Sequence, residues 1–379
     1  MELGSVVEFL EHKTILVTGV TGFLGKVFVE KMLRVQPNVK KLYLLLRAAD
    51  IESATIRFHN EVLGKELFRI FKEKWSTHDL NSFISEKITL VPGDITREDL
   101  GLKDYSNLKQ EMCNDLDLII NSAAMTKFHE RYDAALGINT LGALHIVNFA
   151  KKCIKLKVLV HVSTAYVSLE RQGLILENSY QIGETLNGES NLNIDVEKNL
   201  VEQEMNKLKA EGASEKEITV AMKDLGINRT MDIFLALHAQ GKLPYLLGDP
   251  KSVLDVIPVD MVVNAMIVAM VSHARQPSAT NIYQVGSSLR NPITLRNVLD
   301  YNFHYFTKNP WINNDGKCIK IEKVTILNNL DSFHKHMEKI QYLSPSKVCS
   351  KHHFSYQFNI FDLTLTQLFW HYLIIPGRE

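Results

Sequence analysis

The stretch "KTILVTGVTGFLGKVFVEKML", residues 13–33, decides the fold of this chain. Residues 14–17 form an apolar run, rich in aliphatic side chains, that predicts a buried strand. Glycines stand at positions 19, 22 and 25, and the apolar residues around and after them recur at helical spacing. A glycine fingerprint between a strand and a helix is typical of a turn that binds the pyrophosphate of a dinucleotide.

The three glycines have separate physical roles in such a turn. Gly19 permits the tight turn, Gly22 lets backbone N–H groups approach the pyrophosphate, and Gly25 lets the helix pack closely on the strand. The next apolar run, "KKLYLLLR", ends in Arg47. NAD enzymes usually have an acidic residue there, whereas an arginine accommodates the 2′-phosphate of NADP. Arg47 therefore predicts NADPH, and a surface cation at a strand end is the alternative.

Further units of strand and helix follow. "KITLVPGDI" reaches Asp94, which is placed to meet an adenine amino group, and "LDLIINSAA" ends in residues 121–124, whose small side chains let the backbone approach a cofactor. The next helix carries Asn139, and the fifth strand ends at Ser163 and Thr164, where hydroxyl groups are well placed for chemistry. The alternation predicts an α/β fold with a doubly wound, parallel Rossmann sheet.

The composition of the chain limits the classes of partner that we expect it to bind. The chain has 379 residues, 45% hydrophobic and 23% charged, which is ordinary for a globular protein. Its 43 acidic and 43 basic residues cancel, so we expect no nucleic acid and no anionic membrane as the main partner. The cysteines form no C-x-x-C pair and the C-terminal histidines are loosely spaced, so we expect reduced thiols and no metal.

The order of the motifs resembles that of a known superfamily. "TGVTGFLG", "GDI", "NSAA", "GINTLGA" and "HVSTAYV" follow one another as in the extended short-chain dehydrogenases/reductases. The stretches "KFHERYDAALGINTLGALHIVNFAKKC", "LGDPKSVLDVIPVDMVVNAMIVAMVSHA" and "YFTKNPW" are more specific and resemble the alcohol-forming fatty acyl-CoA reductases, most closely those of plants. The similarity covers most of residues 1–345 and fades after Ser344.

Such reductases use NADPH to convert a long-chain acyl-CoA to a fatty alcohol, through an aldehyde that stays bound. The resemblance implies the same substrate, reaction and cofactor here. It implies that Thr164, or Ser163 beside it, hydrogen-bonds the carbonyl oxygen and that Asn139 orders the site. It also implies a cofactor site made of Gly19, Thr21, Gly22, Phe23, Leu24, Gly25, Arg47, Asp94, Ile95, Asn121, Ala123 and Ala124.

The Tyr-x-x-x-Lys pair of the family is missing. In the family the two residues lie one helical turn apart, so both face the nicotinamide; the tyrosine donates a proton and the lysine lowers the pKa of the tyrosine. No tyrosine beyond Thr164 has a lysine four residues later. Residues 218–229 and 241–258 resemble the family again, with only "TMDIFLALHAQ" between them, which indicates an internal deletion near 230–240.

Two consequences are expected from this deletion. General acid catalysis is worth ~10²–10⁴-fold, so this chain should turn over slowly or be inactive. The sheet should also lose an interior strand, and its apolar neighbours would then favour aggregation. "MDIFLAL" is a candidate replacement strand, although the pattern suits a helix equally well.

We expect a reductase domain over residues 1–290, with a helical insertion at about 170–230, and a small, truncated C-terminal region over residues 291–379. In the family the insertion lies near the acyl-CoA site; a solvated helical excursion is the alternative. The apolar segment 358–376, "FNIFDLTLTQLFWHYLIIP", suits a membrane surface or a buried helix or strand.

The sequence is compatible with three functions. The first is an NADPH-dependent fatty acyl-CoA reductase by descent. The second is a non-catalytic NADPH-binding isoform that pairs with a complete paralogue, and the third is an extended dehydrogenase with another substrate, against which "KFHERYD" argues. The resemblance also predicts peripheral association with the cytosolic face of the endoplasmic reticulum, with a cytoplasmic location as the alternative, and either a homo-oligomer or the paralogue pair.

Overall fold

The computed structural model describes residues 3–127, 130–164, 176–178, 193–227, 245–274, 280–312, 318–319, 322–329, 332 and 370–376. The α-helices in this part of the chain are α1 Leu3–Leu10, α2 Phe23–Val35, α3 Ile51–Arg57, α4 Arg69–Glu73, α5 Thr77–Lys87, α6 Ser106–Asp115, α7 Tyr132–Ala135, α8 Gly142–Ala150, α9 Ile194–Ala210, α10 Glu215–Ile227, α11 Val259–His273 and α12 Leu295–Lys308. The strands are β1 Thr14–Thr18, β2 Lys41–Leu46, β3 Ile88–Pro92, β4 Leu118–Asn121, β5 Val158–Val162, β6 Tyr245–Leu247, β7 Val253–Leu254, β8 Asn281–Val285, β9 Ile293–Thr294, β10 Trp311–Ile312, β11 Cys318–Ile319, β12 Thr325–Leu327 and β13 Trp370–Pro376.

A seven-stranded sheet in the order β3-β2-β1-β4-β5-β13-β8 forms the centre of the fold. Strands β1 to β5 are mutually parallel. Every residue of β1 is buried, because successive side chains enter cores on opposite faces of the sheet. Ile15 and Val17 pack with α2 and α11, whereas Leu16 packs with α6 and α8. Helices on both faces of a parallel sheet confirm the predicted Rossmann class.

The position after β5 in the sheet is occupied by the C-terminal strand β13. It runs antiparallel to β5 on one side and to β8 on the other, with Tyr372 opposite both Val162 and Tyr283. The deletion predicted the loss of an interior strand with exposed neighbours, but β5 pairs with β4 on one side and with β13 on the other, so its backbone groups find partners on both sides. The segment "MDIFLAL", residues 231–237, lies outside the described residues.

The helical insertion is joined to the reductase domain by a polar contact. The hydroxyl of Tyr132 on α7 donates to a carboxylate oxygen of Glu197 on α9 over 2.8 Å, and Glu197 is buried. A capping box begins α10, since Ser214 N–H donates to Glu217 Oε2 at 2.8 Å and Glu217 N–H to Ser214 Oγ at 3.4 Å. The insertion thus packs beside the segment that carries Asn139.

Short two-stranded sheets follow the central sheet in the described C-terminal part. β6 pairs with β12, β7 with β9, and β10 with β11. Leu254, Leu295, Leu299 and Val324 form a small core of their own beneath α12. Within the described ranges, no helix is both long and apolar enough to cross a membrane.

Candidate active site

The turn after β1 and the turn after β4 touch each other through their backbones. Gly19 has a φ of +71°, and a β-carbon on it would lie 2.6 Å from the backbone nitrogen of Ala123 and 2.6 Å from the carbonyl oxygen of Ser122. Gly22 N–H donates to Gly19 O over 2.9 Å, which closes the turn. We call residues 19–25 together with 122–124 the glycine cradle. It brings the start of α2 to the carboxyl edge of the sheet, where dinucleotides bind.

The start of α2 is held tightly against the glycine cradle. A β-carbon on Gly25 would lie 2.4 Å from the carbonyl oxygen of Gly19, so only glycine fits there. Leu24 is buried in the core, whereas Phe23 is 69% exposed and Thr21 is half-buried. Leu24 can therefore meet a cofactor only through its backbone, and Phe23 and Thr21 can do so through their side chains.

A row of polar side chains crosses the sheet one residue below this edge. Thr18 on β1 lies opposite Asn121 on β4, which lies opposite His161 on β5. Thr18 Oγ1 donates to Asn121 Oδ1 over 2.6 Å, and Asn121 Nδ2 lies 2.9 Å from His161 Nδ1. Ala123 N–H in turn donates to Thr18 Oγ1 at 3.1 Å. The row therefore anchors the β4 half of the glycine cradle.

His161 is the titratable member of this row. Burial lowers the pKa of its imidazole, because a charged ring would lose its hydration. The sequence interpretation missed both Thr18 and His161, since each looks like an isolated polar residue in an apolar strand. Only the register of the strands, which places Thr18 and His161 on either side of Asn121, reveals that the three residues form one row.

The loop after β3 holds Asp94 in place through its backbone. Asp94 Oδ1 accepts the N–H of Thr96 over 2.9 Å, and Asp94 N–H donates to Leu100 O at 2.8 Å. Ile95 is buried against Gly142 of α8, and its carbonyl oxygen lies 2.9 Å from His145 Nδ1. Asp94 and Ile95 thus lie at the same sheet edge as the glycine cradle.

Arg47 follows β2 directly and is exposed. Its carbonyl oxygen accepts a hydrogen bond from Arg57 over 2.6 Å, and Arg57 is itself paired with Glu61 at 2.7 Å, so the end of α3 covers this turn. In the described part of the chain, the guanidinium of Arg47 has no ion-pair partner. The Arg47 side chain is available for an anionic group of a ligand.

The predicted catalytic residues lie on two segments beside the glycine cradle. Asn139, in the π-helical turn Leu136–Leu141, accepts Met125 N–H at 2.8 Å and donates to Met125 O at 3.2 Å, so it fixes the chain just beyond residues 122–124. Ser163 and Thr164 are half-buried and directly follow β5. Ala124 is exposed at the same edge. These residues share one end of the sheet, as β4 and β5 are parallel and in register.

Known proteins share this sequence and this fold. The profile of a family described as "Male sterility protein" matches residues 17–221, more than half of the chain. An alcohol-forming fatty acyl-CoA reductase of Simmondsia chinensis is 46% identical over 402 residues, covering 92% of this chain and 81% of that protein. Fatty acyl-CoA reductase 1 of Arabidopsis thaliana is 41% identical over 396 residues, covering 90% and 80%.

Two solved structures show the same fold at low identity. The terminal R domain from the myxalamid PKS-NRPS biosynthetic pathway matches with a TM-score of 0.52 and 18% identity, covering 89% of this chain and 76% of that one. The reductase (R) domain of a nonribosomal peptide synthetase from Mycobacterium tuberculosis gives 0.51, with 18% identity and coverage of 89% and 80%. The identity to the plant proteins and the length it covers decide the family: this chain belongs to the fatty acyl-CoA reductases.

Proposed function

We propose that this chain is an NADPH-dependent, alcohol-forming fatty acyl-CoA reductase by descent, with its cofactor site retained and its proton-donating pair lost. The retained cofactor site is supported by the close approach of the Gly19 and Ala123 backbones, which shapes the glycine cradle. A β-carbon added to Gly19 would lie only 2.6 Å from the Ala123 nitrogen. Arg47 supports NADPH over NADH, because it is exposed at the end of the strand next to β1 and suits a 2′-phosphate.

The reaction needs a carbonyl carbon to accept hydride twice. Bound NADPH would supply hydride, one equivalent for each of two additions. In the first, the acyl thioester gives an aldehyde and coenzyme A leaves as its thiol; in the second, the aldehyde gives the alcohol. Each addition puts negative charge on the substrate oxygen, and a hydroxyl of Thr164 or Ser163 at the end of β5 would donate a hydrogen bond to it.

The proposed loss of the proton-donating pair rests on the sequence. Beyond Thr164, no tyrosine is followed by lysine at the helical spacing of the family. The alignment with the Simmondsia protein runs over 402 positions although it includes only 92% of the 379 residues, so that protein has residues that this chain lacks. Without the tyrosine and lysine, the alkoxide would have one hydroxyl donor and no proton source beside it, and we expect very slow turnover.

The test compares this chain with a version in which a family segment is restored between Arg229 and Gly241. Both proteins are given a long-chain acyl-CoA and NADPH, and fatty alcohol is measured by gas chromatography. We expect alcohol only from the restored protein, together with similar NADPH affinity in both. Comparable turnover by the unrestored chain would overturn the loss of the proton-donating pair.

A non-catalytic NADPH-binding isoform is the second candidate, and the missing pair is the observation that favours it. It predicts that the unrestored chain binds NADPH, makes no alcohol and co-purifies with a complete reductase when the two are co-expressed. A chain that neither binds NADPH nor associates with the complete reductase would exclude this candidate. Homo-oligomers would show in the same experiment as a size change without the second protein.

We further propose peripheral association with the cytosolic face of the endoplasmic reticulum. The support is the substrate class, since long-chain acyl-CoA is an amphiphile that partitions to membranes. Fractionation of cells that express the full chain should place it with microsomes, released by high pH without detergent. Recovery of all of the protein in the cytosol would contradict this location.

A further inference from the structure

Three consecutive residues of the loop after β3 adopt the left-handed backbone conformation. The φ angles are +50° at Asp99, +58° at Leu100 and +71° at Gly101. Residues with a β-carbon enter this region rarely and singly, because the β-carbon crowds the following carbonyl oxygen. A run that includes two such residues therefore needs contacts that hold it in place. We call residues 99–101 the left-handed turn.

The left-handed turn is bonded directly to the residues that follow β3. Leu100 is fully buried, and its carbonyl oxygen accepts the N–H of Asp94 over 2.8 Å. A β-carbon on Gly93 would lie 2.6 Å from the same oxygen, so the turn and the end of the strand touch. Leu100 N–H donates to Arg97 O, and Arg97 N–H donates to Asp94 O, each over 3.1 Å. The loop that the turn closes thus binds both polar groups of the Asp94 backbone.

Two lysines from neighbouring elements hold the left-handed turn through its aspartate. Lys109 of α6 places its Nζ 2.9 Å from Asp99 Oδ2, and Lys152, just after α8, binds the other carboxylate oxygen. The side chain of Asp99 is 24% exposed, so solvent screens these ion pairs only in part. Hydrogen bonds from Lys152 and Lys109 lower the pKa of Asp99 and favour its charged form. The Asp99 carboxylate therefore ties the turn to both flanking helices.

The side chain of Asp94 is the group that this arrangement can present to a ligand. It lies at the sheet edge beside the glycine cradle, and its Oδ1 accepts only the N–H of Thr96 among the described contacts. A carboxylate has further acceptor sites on both oxygens, so Asp94 can also accept the amino group of an adenine ring. Its aim depends on the backbone that carries it, and the left-handed turn fixes that backbone.

We propose that Asp99 is a positioning residue for the adenine end of the cofactor. Its two ion pairs hold the left-handed turn, the turn holds the backbone of Asp94, and the Asp94 carboxylate then accepts the adenine amino group. This inference rests on the proposed function, because it takes NADPH as the ligand. A clamp with a structural role alone would stabilise the protein without any effect on which base the site prefers.

The test compares NADPH with its hypoxanthine analogue, in which a carbonyl oxygen replaces the amino group of adenine. Calorimetric titration of the full chain gives the Kd of each dinucleotide. A hydrogen bond to a charged group corresponds to roughly tenfold or more in affinity, so we expect the parent chain to prefer NADPH by about that factor. Asp94→Ala should abolish the preference, and Asp99→Ala should remove most of it. Asp104→Ala, at an exposed acidic residue near the turn, should keep the parent ratio.

Variants of Lys152 keep the test decisive if Asp99→Ala folds poorly, because the Lys152 side chain is 52% exposed. Lys152→Ala should lower the NADPH preference by roughly two- to fivefold, as expected for the loss of one ion pair, and Lys152→Arg should restore it. A parent chain that binds neither dinucleotide would overturn the proposed function, and this inference with it. NADPH binding with no preference in the parent chain, or with an unchanged ratio in Asp99→Ala and Lys152→Ala, would overturn the inference alone.

Hydrogen exchange of the cofactor-free protein gives a readout that needs no ligand. The Asp94 amide, which is bonded to Leu100 O, should exchange faster in Asp99→Ala than in the parent chain. The amides of β1 should keep their rates, whereas a general loss of stability would raise the rates of both groups. Unchanged exchange at Asp94 in a folded Asp99→Ala protein would contradict the role of the carboxylate in holding the turn.

Discussion

The side-chain nitrogen of Asn121 donates to Nδ1 of His161 over 2.9 Å, and this contact fixes the tautomer of a half-buried imidazole. An amide nitrogen has no lone pair to offer, so Nδ1 must be the acceptor and the ring proton must be on Nε2. Burial lowers the pKa of His161, which favours the neutral ring over the charged one. Asn121 thereby joins three parallel strands directly below the glycine cradle.

Asn121→Ala should destabilise the protein strongly. The substitution leaves Thr18 Oγ1 and His161 Nδ1 without the amide that binds both of them, and a buried polar group that loses its partner costs about 1–3 kcal/mol. The midpoint of chemical denaturation should fall accordingly. Asn148→Ala, at an exposed position of α8, is the matched control and should change the midpoint little. Equal midpoints for the two variants would show that the row of Thr18, Asn121 and His161 does not stabilise the fold.

His161 should make stability depend on pH. Its pKa is lower in the folded protein than the ordinary value of 6.5, so below that value the unfolded chain binds a proton that the folded chain does not. The stabilisation is therefore complete above about pH 6.5 and declines as the pH falls. Denaturation midpoints measured at about pH 7.5 and about pH 5.5 should differ less for His161→Asn than for the parent chain. His78→Asn, at an exposed side chain, should keep the parent slope.

Local patterns account for the part of the fold that was predicted correctly. The runs that form β1 to β5 and the glycine turn are dictated by residues close together in the sequence, so period and turn chemistry suffice to find them. The pairing of β13 with β5 could not be found this way, because it joins residues 158–162 to residues 372–376. The row of Thr18, Asn121 and His161 was also hidden, since only the register of three strands aligns its members.

Gly19→Ala should impair both folding and NADPH binding. A β-carbon there would lie 2.6 Å from the Ala123 nitrogen, so the two halves of the glycine cradle must move apart. Gly212 is a matched control, because its φ is +70° and nothing lies within 4 Å of the added carbon. Gly212→Ala should cost only the strain of the left-handed backbone, about 1–2 kcal/mol.

Calorimetric titration with NADPH separates these effects on binding. We expect Gly19→Ala to weaken the affinity by about tenfold or more, which is about 1.4 kcal/mol of binding free energy, and Gly212→Ala to leave it unchanged. Unaltered NADPH affinity in a folded Gly19→Ala protein would contradict the assignment of the glycine cradle to the cofactor.

Arg47→Asp should reduce the preference for NADPH over NADH. A hydrogen bond to a charged group contributes about 1.5–3 kcal/mol, so removal of the guanidinium should cost roughly 10–100-fold in NADPH affinity. The affinity for NADH should stay level or improve, since its ribose hydroxyl can donate to the new carboxylate. Arg290→Asp, at another exposed arginine, should preserve the parent ratio. Equal dissociation constants for the two cofactors in the parent chain would remove the basis of this prediction.

The C-terminal strand should be essential for a folded protein that does not aggregate. Ile374 lies opposite Val160 of β5 and Asn281 of β8, in the interior of the sheet. Proline cannot donate to a strand ladder and is tolerated in sheets mainly at their edges. Ile374→Pro, or deletion of residues 370–379, should therefore open the sheet between β5 and β8 and expose two strands with unpaired backbone groups.

Light scattering coupled to size-exclusion chromatography measures this outcome directly. We expect aggregation of both altered proteins, and a lower denaturation midpoint for any protein that does not aggregate. Deletion of residues 377–379, which leaves β13 intact, is the matched control and should behave as the parent chain does. If the chain without residues 370–379 kept the size of the parent protein and an unchanged midpoint, β13 could not be the strand that completes the sheet. A version with the family segment restored between Arg229 and Gly241 should tolerate the same deletion, because the restored strand would occupy the slot beside β5.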